Sequence, residues 1–268
     1  MKKDLSEYNP EGSTLRKAQL RMLEMLVEID RVCRKYNIPY WIEFGTLLGA
    51  VRHKGFIPWD DDVDIAILQK DYKRLREALI NECSEKYFFQ DATTDPCSFD
   101  DCGRLRDRGS YCYYPSFTKL KEQGLWIDIT RFAYVNNFRL QRIVDFFYRR
   151  AYREIHNYGV VAYSSKIRIV CTKALAYLVY PFCLVAKNIM EYIGNHSKNS
   201  FLMRWSFPPR VYYPDKLFPL VEMEFEGHKF FAPKCWHEHL TEVYGDYMQI
   251  PPENQRKQLL DMTKVKFF

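Results

Sequence analysis

Between Ser13 and Tyr36 the apolar positions Leu15, Met22, Met25, Leu26, Ile29 and Cys33 return at helical spacing, and Arg16, Arg21, Glu24, Glu28 and Arg31 lie mostly on the other face. The spacing predicts an amphipathic helix, capped by Ser13 and stopped by Asn37 with Pro39. Tyr40 to Phe44 reads as a buried strand that ends at Gly45-Thr46, and Leu47 to His53 as a short helical turn. Asp62 to Leu68 alternates with the period of a strand, and Asp71 to Glu82 returns to the period of a helix. Tyr87–Gln90, Arg104–Arg106 and Leu125–Thr130 are further strand candidates between loops rich in Asp, Ser and Pro. This mixture predicts an α/β (α+β) fold, a mixed sheet with flanking helices over residues 1–135.

From about Asn136 to His196 the pattern changes. Aromatic, aliphatic and basic residues dominate and glycine nearly disappears, which predicts a helical insertion over residues 136–205. Residues 206–268 then form a C-terminal part that packs back on the core. It opens on an irregular connection at Pro208, Pro209 and Pro214, continues as a hairpin turning at Glu226-Gly227, and has a last helix from Cys235 to Tyr244. Within the insertion, Ala174 to Ala186 carries no charge, is too short to span a bilayer and contains Pro181. It reads first as a buried helix. The alternative is an interfacial helix whose basic neighbours contact anionic lipid.

Composition narrows the class. Hydrophobic residues make up 47% of the 268 and charged residues 28%, so the chain folds rather than staying disordered. A net charge of +6 suits phosphorylated substrates or an anionic surface, and its Lys and Arg are mixed with acids rather than gathered as a nucleic-acid partner would require. Met1-Lys2-Lys3 has no apolar stretch behind it, so no signal peptide is expected. The eight cysteines are expected as reduced thiols of a cytoplasmic protein. Cys97, Cys102 and Cys112 lack the paired spacing of a structural zinc site.

The chemistry concentrates between Glu43 and Ile65. On a strand, Asp62 and Asp64 would point to one face, and two adjacent carboxylates repel unless a cation lies between them. Oxygen-only ligands favour Mg²⁺ or Mn²⁺. Gly45-Thr46 is placed where bare backbone and a hydroxyl can meet a phosphate, with Arg52 and Lys54 adding positive charge. Asp128, on the otherwise apolar strand Trp126-Ile127-Asp128-Ile129, is the natural third ligand. Glu43 reads equally as a support for the ligands or a contact to a donor ribose. Trp59, Trp126, Tyr113 and Tyr114, beside the acidic motifs, are candidate contacts for a quaternary ammonium group, against the plainer reading of packed core rings. His237 and His239 flank Glu238 on a helix expected to be exposed, where such pairs are usually surface residues.

Glu43-Phe44-Gly45-Thr46-Leu47-Leu48-Gly49 running into Ile57-Pro58-Trp59-Asp60-Asp61-Asp62-Val63-Asp64 resembles the signature of the LicD family of bacterial phosphocholine transferases, related to fukutin and fukutin-related protein. Arg104-Leu105-Arg106-Asp107, Trp126-Ile127-Asp128-Ile129, Phe225-Glu226-Gly227 and Tyr244-Gly245-Asp246 through Pro251-Pro252 are similar to its later motifs. The sequence departs from the pattern at Thr130-Arg131 and after Pro252. The resemblance implies a nucleotidyltransferase-like fold and transfer of phosphocholine or a similar phospho-alcohol from a CDP-activated donor to a sugar hydroxyl. The acceptor would be a glycan or lipid-linked glycan precursor of lipopolysaccharide or capsule.

The resemblance also implies roles. Asp62 and Asp64 would hold the metal at the diphosphate, and Asp128 would share a second cation and deprotonate the acceptor. Gly45 and Thr46 would cradle phosphate, and Arg52 would offset charge on leaving CMP. The competing readings are a nucleotidyltransferase moving NMP, a nucleotide-sugar glycosyltransferase and an inactive binding module. The expected place is the cytoplasm, with peripheral contact at the inner membrane face as an extension of the interfacial-helix reading.

Overall fold

The computed structural model describes residues 5, 7–98, 102–115, 119–156, 166–204 and 211–268. In chain order the elements are α1 (Thr14–Lys35), β1 (Tyr40–Ile42), α2 (Phe44–His53), β2 (Asp64–Leu68), α3 (Gln69–Cys83), β3 (Tyr87–Gln90), β4 (Cys102–Asp107), β5 (Ser110–Cys112) and β6 (Trp126–Val135). There follow α4 (Phe138–His156), α5 (Lys166–His196), β7 (Phe201–Arg204), β8 (Val211–Tyr212), α6 (Pro214–Leu217), β9 (Val221–Phe225), β10 (His228–Ala232), α7 (Trp236–Tyr244) and β11 (Val265–Phe267). Two compact units emerge: residues 1–90 with 102–131 and 215–268, and residues 91–101 with 132–214.

The first unit is built on strands in the order β1-β2-β6-β4-β3, to which β6 gives residues up to Arg131. The result is the expected mixed α/β fold, a curled mixed sheet with flanking helices. Neighbours β1 and β2, β6 and β4, and β4 and β3 run antiparallel. The helix α1 forms as its pattern dictates. The Ser13 hydroxyl accepts from the Arg16 N–H at 3.1 Å, Arg34 and Lys35 face the negative end of the helix dipole, and Met22, Met25, Leu26 and Ile29 are buried. Arg106 on β4 is fully buried. It donates to Gln90 at 2.8 Å and to the Gly124 carbonyl at 2.9 Å, and its guanidinium lies 4.7 Å from the Trp126 ring centre. Burial lowers its pKa to about 10.

Three local expectations change. The helix α2 begins at Phe44, so Gly45 and Thr46 lie inside its first turn rather than between strand and helix. The strand β2 begins at Asp64, so Asp62 precedes it, although exposure still alternates from Asp60 through Ile65. The chain's last residues form β11, which pairs antiparallel with β5.

In the second unit α4 and α5 pack side by side around Tyr148, Tyr152 and Cys183, with Val144, Val179 and Tyr180 against them. The Tyr152 hydroxyl donates to the Ser98 carbonyl at 2.8 Å. The last residues of β6 pair with β7 and β7 with β8, so β7 forms at the end of the span expected to be helical and β8 within the expected irregular connection. Pro208 and Pro209 of that connection lie outside the described residues. The apolar run 174–186 is helical, but the buried-helix reading is overturned. Leu175, Tyr177, Leu178 and Phe182 are 60–71% exposed, and only 11% of the most apolar stretch of α5 is buried.

Gly124 lets the backbones of β4, β5 and β6 converge, because a Cβ there would overlap the Asp107 carbonyl oxygen. Gly124→Ala should therefore lower unfolding stability by about 3 kcal/mol in urea titration. Gly227→Ala, at φ +76° but with open space around it, should cost only about 1 kcal/mol.

Candidate active site

Backbone hydrogen bonds assemble the candidate residues. The Glu43 N–H donates to the Asp64 carbonyl at 3.1 Å, and the Asp64 N–H donates to the Thr46 hydroxyl at 2.9 Å. The Asp128 N–H donates to the Val63 carbonyl at 3.0 Å. Val63 lies between Asp62 and Asp64, so this last bond brings the third acid beside the first two. Gly45, Thr46, Asp62, Asp64 and Asp128 thus share one place, reached from α2, β2 and β6.

Asp60, Asp62 and Asp64 are half-buried, whereas Asp61 points inward and accepts from the Leu259 and Leu260 amides at 3.0 and 2.5 Å. Burial still raises the Asp61 pKa. Asp60 and Asp62 share a hydrogen bond. Burial, then the charges of Asp62 and Asp61 and that bond, hold the Asp60 pKa well above the ordinary value. Burial, then the charges of Asp128 and Asp61, push Asp62 up to about 6. The Asp60 carboxylate also abuts Gly45, where a Cβ would come within 2.8 Å of its oxygen. Phe44, the first residue of α2, has φ +48°, a strained value for a bulky side chain.

Asp128 is held by three neighbours. Arg104, opposite it on β4, approaches to 2.8 Å, the Trp126 indole donates at 3.1 Å, and the Cys102 thiol lies at 3.7 Å. Arg52 donates to the Tyr247 and Gln249 carbonyls at 3.0 and 3.3 Å. Burial lowers its pKa against the pull of Asp60. Glu43 is fully buried: one oxygen accepts from the Trp41 indole at 2.7 Å and the other meets His239 Nε2 at 2.8 Å. Trp59 is buried, with the Arg256 guanidinium 5.2 Å from its ring centre and Tyr8 edge-on at 5.4 Å.

The donor set consists of carboxylate oxygens whose burial and mutual charge raise the Asp60 and Asp62 pKa values, with Arg104 2.8 Å from Asp128, and such oxygens are the donors a hard divalent cation takes. Among the described residues no three His, Cys, Asp or Glu side chains are gathered as a ready ligand group, so the acids are close without being fully converged.

Several residues that matter here were not given a role by sequence. Asp60 stood only within the motif, although its spacing two before Asp62 was a signal. Arg104 was quoted only as part of a basic strand. His239 was expected on an exposed face but is buried against Glu43, a contact spanning 196 residues that no local pattern announces. Gln19, fully buried on α1, donates to the Asp60 carbonyl at 2.8 Å. Glu226 takes two bonds from Arg16, at 3.1 and 2.8 Å, and one from the Phe56 amide at 3.1 Å.

This arrangement defines a class. Residues 37–160 match the family model described as LicD/FKTN/FKRP, nucleotidyltransferase domain. The chain carries a LicD-family domain. Along nearly its whole length it is similar to the lipopolysaccharide cholinephosphotransferase LicD of Haemophilus influenzae, at 28% identity over 91% of this chain and 95% of that one. Shorter stretches are similar to ribitol 5-phosphate transferase FKRP of Mus musculus, at 41% identity over 25% of this chain and 14% of that one. Ribitol-5-phosphate transferase FKTN of Homo sapiens is 32% identical over 26% of this chain and 14% of its own.

Two outcomes follow from the geometry. A carboxyl whose folded pKa is raised binds protons that the unfolded chain has lost, so its stabilising effect is greatest below about pH 4. That effect is lost as pH rises toward 6. Asp62→Asn should therefore stabilise the fold at pH 7 in chelator, on the order of 1–2 kcal/mol, with the gain vanishing by pH 4. Thermal melts across pH check this. His239→Ala, which leaves one oxygen of a buried carboxyl without its partner, should cost about 2–3 kcal/mol at the same pH.

Proposed function

We propose that the chain is a metal-dependent phosphotransferase that moves a phospho-alcohol from a CDP-linked donor to a sugar hydroxyl of a cell-surface glycan precursor. The observation that carries this reading is the meeting of Asp62, Asp64 and Asp128 beside the Gly45-Thr46 turn, in a chain that aligns almost end to end with a cholinephosphotransferase. That alignment favours phosphocholine as the cargo, since the ribitol-phosphate relatives match over only about a quarter of the chain.

In this reading Asp62 and Asp64 would hold Mg²⁺ or Mn²⁺, with Asp128 as the third oxygen donor. When bound, the cation supplies charge stabilisation for the diphosphate. The residues do the rest. The first turn of α2, with the Thr46 hydroxyl, offers N–H and O–H donors to phosphate. The bond between the alcohol phosphate and CMP breaks as the acceptor oxygen bonds phosphorus. Asp128 is placed to take the acceptor's proton, and Arg52 offsets negative charge on departing CMP. Arg104 positions the Asp128 carboxylate. Glu43, buried under Trp41 and His239, supports the turn from below rather than touching donor. The faces of Trp59 and Trp126 already carry Arg256 and Arg106, so an aromatic cage for choline is not favoured among these residues.

A panel of CDP-choline, CDP-ribitol and CDP-glycerol, with product analysis, tests the reading. CMP release with transfer of the alcohol phosphate supports it, whereas pyrophosphate release means NMP transfer and nucleoside diphosphate release means glycosyl transfer. Asp62→Asn and Asp64→Asn should each lower turnover by more than about 100-fold, as chelator does, in a folded protein. Asp128→Asn should depress kcat far more than donor KM.

A further inference from the structure

His237 and His239 lie two positions apart on α7, about 200° around the helix from one another, so they reach different neighbours. Each neighbour leads to an end of α2, the helix whose first turn carries Gly45 and Thr46 and whose last turn carries Arg52.

At the start of α2, Glu43 is the capping residue. Its carbonyl accepts from the Leu47 N–H at 3.2 Å, but its side chain makes no capping bond to the helix. That side chain is fully buried, with His239 Nε2 2.8 Å from one oxygen and the Trp41 indole donating to the other at 2.7 Å. The first turn is therefore located from α7 and β1, outside α2 itself.

At the other end, His237 Nδ1 lies 2.7 Å from the Tyr247 hydroxyl, and the two rings meet edge-on at 5.7 Å. Gly245, at φ +67°, turns the chain back after α7 and returns the buried Tyr247 to His237. The Tyr247 and Gln249 carbonyls then accept from Arg52 at 3.0 and 3.3 Å. Arg52 feels the charge of Asp60, and Asp60 abuts Gly45. Both ends of α2 thus bear on the same carboxyl.

A single contact would fix one point of α2 and leave its axis free to pivot. Two contacts at the ends of a ten-residue helix, about 15 Å apart, fix the axis. The helix α7 can hold both because it is itself anchored. Leu240 is fully buried, and the amides of Lys234 and Cys235 donate to the Leu217 and Lys216 carbonyls at 3.1 and 3.0 Å.

We propose that His239 and His237 are positioning residues that clamp α2 at both ends, His239 setting the Gly45-Thr46 turn through Glu43 and His237 setting Arg52 through Tyr247. They act through these partners rather than on substrate. Geometry of this kind matters because a misplacement of about 1 Å can cost about 100-fold in rate. What α2 binds rests on the phosphotransfer reading above; the clamp itself does not.

Amide exchange across residues 44–53, binding of magnesium pyrophosphate and turnover of CDP-alcohols test it, on the full chain well below its melting temperature. His239→Leu should speed exchange in the first turn and weaken pyrophosphate binding about tenfold. His239→Gln, which keeps a nitrogen near the Nε2 position, should recover most of both. His237→Phe and Tyr247→Phe keep the rings and remove one bond. Each should speed exchange in the last turn and lower kcat about tenfold, with donor KM within about twofold and thermal melts unchanged. Together they should do no more than either alone, because they break the same bond. Wild-type protein that binds magnesium pyrophosphate but releases no CMP from any CDP-alcohol overturns the phosphotransfer reading, and the clamp then stands or falls on exchange and binding. Exchange in α2 left unchanged by these variants overturns the clamp, even where wild-type turnover upholds the reading. So do pyrophosphate binding and kcat that stay constant while only melts fall, or a His239→Leu loss that His239→Gln does not restore.

Discussion

The hydrogen bond from the Asp128 amide to the Val63 carbonyl is the contact on which the site depends. It fixes the register of β6 against the run that carries Asp62 and Asp64, and so forces a third carboxylate into a neighbourhood that already repels. Nothing in packing alone favours that arrangement. Arg104 opposite Asp128 offsets part of that repulsion, while burial and then the repulsion itself raise the pKa values of Asp60 and Asp62.

Such a frame needs bracing from outside the motif, and the bracing is polar and buried. Gln19 of α1 holds the Asp60 carbonyl, Asp61 takes two amides from residues 259 and 260, and Glu226 joins Arg16 to the Phe56 amide. Each of these groups would be expensive to bury unpaired, so each contact is specified closely in geometry. The loop between α2 and β2 is thereby tied to an early helix, a late hairpin turn and the end of the chain. This gives the later motifs a physical meaning: Phe225-Glu226-Gly227 serves the site by gripping the segment that presents the acids. At Glu226 and Gly227 the backbone takes φ of +50° and +76°, which turns the glutamate back toward Gly55.

What was legible in the sequence was what local periodicity and turn chemistry encode. The helix α1 with its Ser13 cap, the strand β3 to the residue, and the hairpin turn at Glu226-Gly227 all follow from patterns within a few residues. The acids stood out in the sequence because carboxylates beside apolar strand residues are costly to bury. The start of α2 did not, because Glu43 caps it without a side-chain hydrogen bond and Phe44 enters it through a strained backbone. Neither β11 with β5 nor Glu43 with His239 was legible, because their partners are far apart in the chain and their local signals are weak.

The run at 174–186 shows a different limit. Hydrophobic pattern reports that a segment avoids water, but not which medium replaces it. A core helix and an interfacial helix share the same letters, and the difference lies in neighbours. Here the neighbour is α4, which meets α5 through Val144, Tyr148 and Tyr152 and leaves Leu175, Leu178 and Phe182 exposed. A core would have matched apolar with apolar on that face.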